Sequence, residues 1–182
     1  MCGNYYISKD SVLRIQNAFV YQGLRCAFED VFPGQRCLVL INDHGTIVSR
    51  SMKWGLSTKS GSLINARAET VCQKPTFSSL VDTQRCIVVA DAYYEWNAAK
   101  EKVTFSRKDG KILWMAGIYN EDGFVILTTR PNASVRSVHD RMPLILEKEE
   151  MIQWLCKDYK DLLEKVPTLL EKKQSFEQLG LF

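Results

Sequence analysis

Apolar and polar positions along this chain change period every few residues, so the elements they predict are short. Val12, Ile15 and Phe19 recur at helical spacing behind Ser8, an N-cap residue type, and predict a helix over 9–20. Pro33-Gly34 marks a turn. Residues 37–41 form a continuous apolar run that reads as a buried strand. Asn42-Asp43-His44-Gly45 then supplies turn chemistry, and 46–49 reads as the hairpin partner. The Ser-, Gly- and Lys-rich stretch 57–64 reads as a loop, and 66–73 as a short helix stopped by Pro75. Segments 87–90 and 93–96 read as strands. Asp109-Gly110 between 103–106 and 112–115 signals a hairpin, and the turn at 120–123 precedes a strand over 124–129. From Glu147 the pattern is helical, with Met151, Ile152, Trp154 and Leu155 on one side and Pro167 interrupting.

Many short strands with Gly turns, and helices near both ends, predict an α+β fold. Its core is a mostly antiparallel β-sheet or barrel with flanking helices, in one domain over 1–182 with a helical tail from about 147. No βαβ alternation and no Gly-rich phosphate loop is present, which disfavours a nucleotide-binding α/β enzyme. At 182 residues, 46% hydrophobic and 25% charged, the chain has the composition of a globular protein. No apolar run approaches the roughly 18 residues of a membrane span, and the N-terminus lacks the pattern of a secretory signal. The expectation is a cytoplasmic protein with no membrane partner, and nothing points beyond a monomer. The six cysteines include no C-x-x-C pair and there are two histidines, so free thiols are expected, with no metal and no cofactor. Net charge is +3, with +4 over 1–140 and −1 over 141–182; this permits nucleic-acid contact without requiring it.

Chemistry enters at Cys2. Removal of Met1 would leave an N-terminal cysteine, with an amine of pKa about 7.7–8.0 beside a thiol of about 8.5. An amine condenses with an aldehyde to an imine, and the adjacent thiol can close on the imine carbon to a thiazolidine. Glu95, between aromatics in Tyr93-Tyr94-Glu95-Trp96, is either a desolvated carboxyl suited to acid–base work or an edge-strand surface residue. His139, in a charged loop before Pro143, can shuttle protons or merely cap the loop. His44 sits in a hairpin turn and reads as surface. Asn65 can orient a substrate oxygen or cap a helix, and Arg67 can hold a phosphate. Trp54 can stack on a base or fill the core.

Taken together, Met1-Cys2-Gly3, Trp54-Gly55-Leu56, Asn65-Ala66-Arg67-Ala68-Glu69-Thr70, Arg85-Cys86, Tyr93-Tyr94-Glu95-Trp96, Ala116-Gly117-Ile118, Leu127-Thr128-Thr129 and His139-Asp140-Arg141-Met142-Pro143 occur in an order that carries a resemblance. The chain resembles the SOS-response-associated peptidase (SRAP) family of abasic-site-processing proteins, over residues 1 to about 146. The resemblance implies binding of single-stranded DNA with an abasic site, and a covalent thiazolidine link through Cys2 once Met1 is removed, with possible lyase-like and self-processing peptidase activity. It implies catalytic roles for Cys2 as nucleophile, Asn65 in positioning, Glu95 as general acid/base, and His139 in ring opening and proton transfer. It implies DNA contacts by Arg67, Trp54 and Arg141. Asn4 stands where the family usually has arginine, Ser57-Thr58-Lys59-Ser60 where a proline and an aromatic are usual, and Ala92 where a glycine is usual. Two other readings remain open: a cysteine peptidase using Cys2, His139 and Glu95, and a non-catalytic single-stranded-DNA-binding module.

Overall fold

A computed structural model describes residues 2–59 and 61–174, so Met1, Ser60 and the end of the tail lie outside it. In chain order the elements are β1 (Tyr5–Ile7), α1 (Lys9–Ala18), β2 (Tyr21–Gln22), β3 (Glu29–Val31), β4 (Arg36–Asp43), β5 (Thr46–Lys53), β6 (Leu56–Thr58), β7 (Gly61–Leu63) and β8 (Asn65–Arg67). There follow α2 (Ser78–Thr83), β9 (Arg85–Ala90), β10 (Ala92–Trp96), β11 (Lys102–Ser106), β12 (Leu113–Tyr119), β13 (Phe124–Thr129), β14 (Met142–Pro143), β15 (Ile145–Leu146), α3 (Glu150–Cys156) and β16 (Glu171–Gln174). The fold is α+β, built mostly of strands in open sheets.

One sheet runs β16-β11-β10-β1-β3 and is antiparallel throughout. The larger sheet runs β14-β13-β12-β9-β4-β5-β2, with β15 added to β12 and β8 added in parallel to β13. In its central strands, residues 37–41 and 86–90 are at most 2% exposed. Burial on both faces is why they read as unbroken apolar runs instead of alternating ones. Trp54 ties the sheets together: its ring lies 5.3 Å from Tyr5 of β1 and 6.4 Å from Phe124 of β13, and its Nε1 donates to Ile64 O at 2.9 Å. The backbone beside it is pinned where Gly55 N–H donates to Phe124 O at 2.8 Å. A Cβ at Gly123 would stand 2.3 Å from Lys53 O, so only glycine lets the β12–β13 turn approach this closely.

Helix α1 forms as expected, with the Ser8 hydroxyl accepting the Ser11 N–H at 3.1 Å, but it ends at Ala18 and leaves Val20 exposed. Four other expectations are corrected. Stretch 57–64 is not a loop: β6 and β7 pair as a small antiparallel ribbon. Residues 66–73 are not a helix, because Asn65–Arg67 is captured as a parallel strand by β13, and only a 3-10 turn, Ala68–Thr70, follows. Asp109-Gly110 does make a turn, with Gly110 N–H donating to Arg107 O at 3.2 Å, yet β11 and β12 enter different sheets and do not pair. The region after Glu147 is not helical throughout: α3 spans seven residues with Ile152 facing solvent, and the chain re-enters the first sheet as β16 against β11. No helix among the described residues is long and apolar enough to cross a membrane.

Candidate active site

β8 and β10 deliver the polar side chains to the N-terminal segment. On β8 the alternation puts Ala66 inward and leaves Asn65 and Arg67 on the other face. The Asn65 side-chain amide donates to Cys2 O at 2.8 Å, so Asn65 does not cap a helix; it anchors the main chain at Cys2. Arg67 is exposed beside it. On β10, Tyr93 and Glu95 share one face and both point inward, at 0% and 2% exposed. Glu95 is therefore not an edge-strand surface residue. Burial holds its carboxyl above the ordinary range, partly offset by His139.

His139 Nε2 lies 3.7 Å from Glu95 Oε2. Its Nδ1 accepts the Arg141 backbone N–H at 3.0 Å, which leaves the ring proton of neutral imidazole on Nε2, toward Glu95. Asp140 Oδ1 lies 2.9 Å from the same Nδ1. The Asp140 side chain is largely exposed. His44, by contrast, is fully solvent-exposed.

Cys2 is completely buried, and its Sγ hydrogen-bonds to Asn4 O at 3.8 Å, not to an imidazole. Burial, reinforced by the Glu95 charge, pushes the thiol well above its usual range. Tyr93 behaves alike: burial, then Cys2 and Glu95, raise its phenol. Sequence reasoning passed over Tyr93 and treated Asn4 only as a substitution. The Tyr93 hydroxyl, Asn4 Oδ1 and Asn65 Oδ1 are buried without hydrogen-bond partners. Such atoms cost about 1–3 kcal/mol each when left unmatched, a cost the fold carries in the buried cluster around Cys2. The period-two spacing of Tyr93 and Glu95 was the available signal.

Two residues expected to contact DNA have partners within the protein. Trp54 offers no face to a base; it is 0% exposed and packed between the sheets. The Arg141 guanidinium is already engaged, donating to Glu69 at 2.9 and 2.8 Å and to Thr128 O at 2.6 Å. The six cysteines are free thiols. Among the described residues no group of three or more His, Cys, Asp or Glu is placed to hold a metal ion.

A profile of the family described as SOS response associated peptidase (SRAP) matches residues 1–179. The chain belongs to this family. It is 32% identical over 179 residues to the abasic site processing protein YoqW of Bacillus subtilis, covering 85% of this chain and 80% of that protein. To the abasic site processing protein YedK of Escherichia coli it is 29% identical over 140 residues, covering 69% and 63%. A crystal structure of a protein from Bordetella bronchiseptica shares the SRAP fold, with TM-score 0.78 at 24% identity over 96% of this chain and 99% of that one.

Proposed function

We propose that this SRAP protein processes abasic sites in DNA as part of the DNA damage response, trapping them covalently at Cys2. The relatives named abasic site processing proteins support the substrate. The observation that carries the chemistry is the placement of Cys2: its carbonyl is anchored by Asn65, and its thiol lies buried in the field of Glu95.

In this reading Met1 is first removed, freeing the Cys2 amine. The amine attacks C1′ of the ring-opened deoxyribose, giving a carbinolamine. Protonated Glu95 gives its proton to the departing hydroxyl, which leaves as water, and an iminium remains. Cys2 Sγ then adds to C1′ while its proton passes to the Glu95 carboxylate. The net reaction is aldehyde plus aminothiol to thiazolidine plus water, with Glu95 restored. A carboxyl held above its ordinary pKa suits both proton transfers near neutral pH. His139, at the outer side of Glu95, assists ring opening and relays protons, and Arg67 binds a flanking phosphate of single-stranded DNA.

The thiol's state favours this order over a cysteine-peptidase reading. A peptidase thiol is paired with imidazole and its pKa is depressed, whereas burial raises that of Cys2. Here the amine is the first nucleophile and the thiol closes second, as a thiol.

Intact-mass measurement on the purified protein, before and after incubation with an abasic-site oligonucleotide, tests the reading. The expected result is loss of Met1 and a heat-stable adduct mapping to Cys2. Cys2→Ala should lose that adduct entirely while holding the strand with nearly unchanged affinity. A heat-stable adduct formed by Cys2→Ala would sink the thiazolidine route.

A further inference from the structure

Of the chain's ten arginines, seven are engaged. Arg36, Arg50, Arg85, Arg107 and Arg141 make multiple hydrogen bonds, Arg14 reaches Ser11, and Arg25 lies over Phe28. Among the described residues only Arg67, Arg130 and Arg136 make no side-chain hydrogen bond, ion pair or ring contact, and all three are exposed. Arg67 stands two positions after Asn65 on β8, on the same face as the residue that anchors Cys2. Arg130 and Arg136 line a groove together with His139, and the same two line an adjoining cleft of about 1080 Å³.

The two depressions are thus one trough, leading from His139 to a far wall made by 163–169. On that wall Val166 and Leu169 are 75% and 56% exposed, an unusual display of aliphatic surface beside unpaired cations. Lys160 adds a third cation and Lys165, paired with Glu150, a fourth, while Glu164 is one of the two acids of the cleft. The other acid of the cleft, Glu69, is covered by the Arg141 fork at 2.9 and 2.8 Å; against the effect of burial, that fork, with a smaller contribution from the charge of Arg130, holds its carboxyl below the ordinary range. Arg141 therefore serves the trough indirectly, by cancelling a charge that would repel a polyanion.

We propose that this trough seats a single-stranded flank of the bound DNA, with Arg130 and Arg136 on two backbone phosphates and the 163–169 wall against the bases. Unpaired cations in a concave channel beside apolar side chains match a strand that offers phosphates and exposed base faces together. A duplex stacks its base faces away inside, so Val166 and Leu169 would meet nothing apolar. The proposal rests on the abasic-site reading for where the strand begins, at His139, and adds the path it takes.

The test measures binding of a single-stranded oligonucleotide bearing a non-reactive tetrahydrofuran abasic analogue at several salt concentrations. Each phosphate contact on a single strand contributes about 0.7 to the slope of log K against log salt. The Arg130→Gln/Arg136→Gln double variant should lower that slope by about 1.4, and Lys111→Gln, at a solvated turn, should leave it alone. Deleting one flank of the oligonucleotide, 5′ or 3′, should reproduce the loss in wild type and add nothing in the double variant. An unchanged slope, additive losses for both flanks, or an effect seen only with a duplex flank would each overturn the proposal. Failure of wild type to cross-link a natural abasic site would defeat the functional reading instead, while the salt slopes on a plain single strand would still report on the trough.

Discussion

The buried cluster around Cys2 and the trough near it use polar groups in opposite ways. In the cluster Cys2, Tyr93 and Glu95 are at most 2% exposed, and polar atoms of Asn4, Asn65 and Tyr93 are buried without partners. In the trough Arg130, Arg136 and Lys160 stand in solvent. Burial raises the pKa of Cys2, Tyr93 and Glu95, and at Glu95 that is what proton transfer needs. Exposure leaves the second set open to solvent, able to exchange counterions for phosphates. Arg141 lies at the seam, and its bidentate bond to Glu69 makes it part of the frame of both.

The comparison breaks first at Glu95. Glu95→Gln should slow cross-linking about 10²–10⁴-fold, the usual share of a general acid–base group, without changing the salt dependence of binding. A rate equal to wild type, measured by gel-resolved adduct formation, would remove Glu95 from the mechanism. Its stability effect has a fixed sign. A carboxyl whose folded pKa is raised supports folding below its unfolded pKa, and that support is lost as pH rises through the folded value. Glu95→Gln should therefore melt higher than wild type near neutral pH, and the gap should close in acid.

Trp54→Ala should cost about 3–5 kcal/mol of folding stability in denaturant titration, the range for deleting a buried aromatic. A near-neutral effect on stability with a large loss of DNA affinity would return Trp54 to the binding surface. Arg141→Gln should cost about 2 kcal/mol, since it strands a charge-assisted network. It should weaken DNA binding through the uncovered Glu69, and Glu69→Gln in the same chain should restore much of that binding; no restoration would make Arg141 a direct contact after all. The smallest effect belongs to Tyr93→Phe, which deletes a buried, unpartnered hydroxyl. Calorimetry should show Tm higher by about 2–4 °C, equivalent to about 1 kcal/mol, while cross-linking slows several-fold. A lower Tm would mean that the hydroxyl is already bonded in the free protein.

Local rules carried α1, the β4–β5 hairpin, and the turn at 120–123 with the strand that follows it, because cap, turn and apolar run lie within a few residues of each other. They failed where a distant strand decided the outcome. Asn65–Arg67 has a helix-compatible sequence but is paired by β13, some sixty positions on. Asp109-Gly110 turns as its residues prefer, yet β11 is already bracketed by β10 and β16.

The candidate site divides along the same line. Sequence alone determined which residue types could do the chemistry, since an amine–thiol pair, a carboxyl and an imidazole have reactivities that belong to the side chains themselves. It also determined the turn positions and the apolar runs of the central strands. Tertiary structure decided that Asn65 reaches Cys2, that Glu95 is buried beside His139, that Trp54 is core, and that Arg141 is engaged while Arg130 and Arg136 are not. The physical reason is that burial and pairing depend on neighbours remote along the chain, and those neighbours determine both a carboxyl's proton affinity and whether an arginine is left for a phosphate.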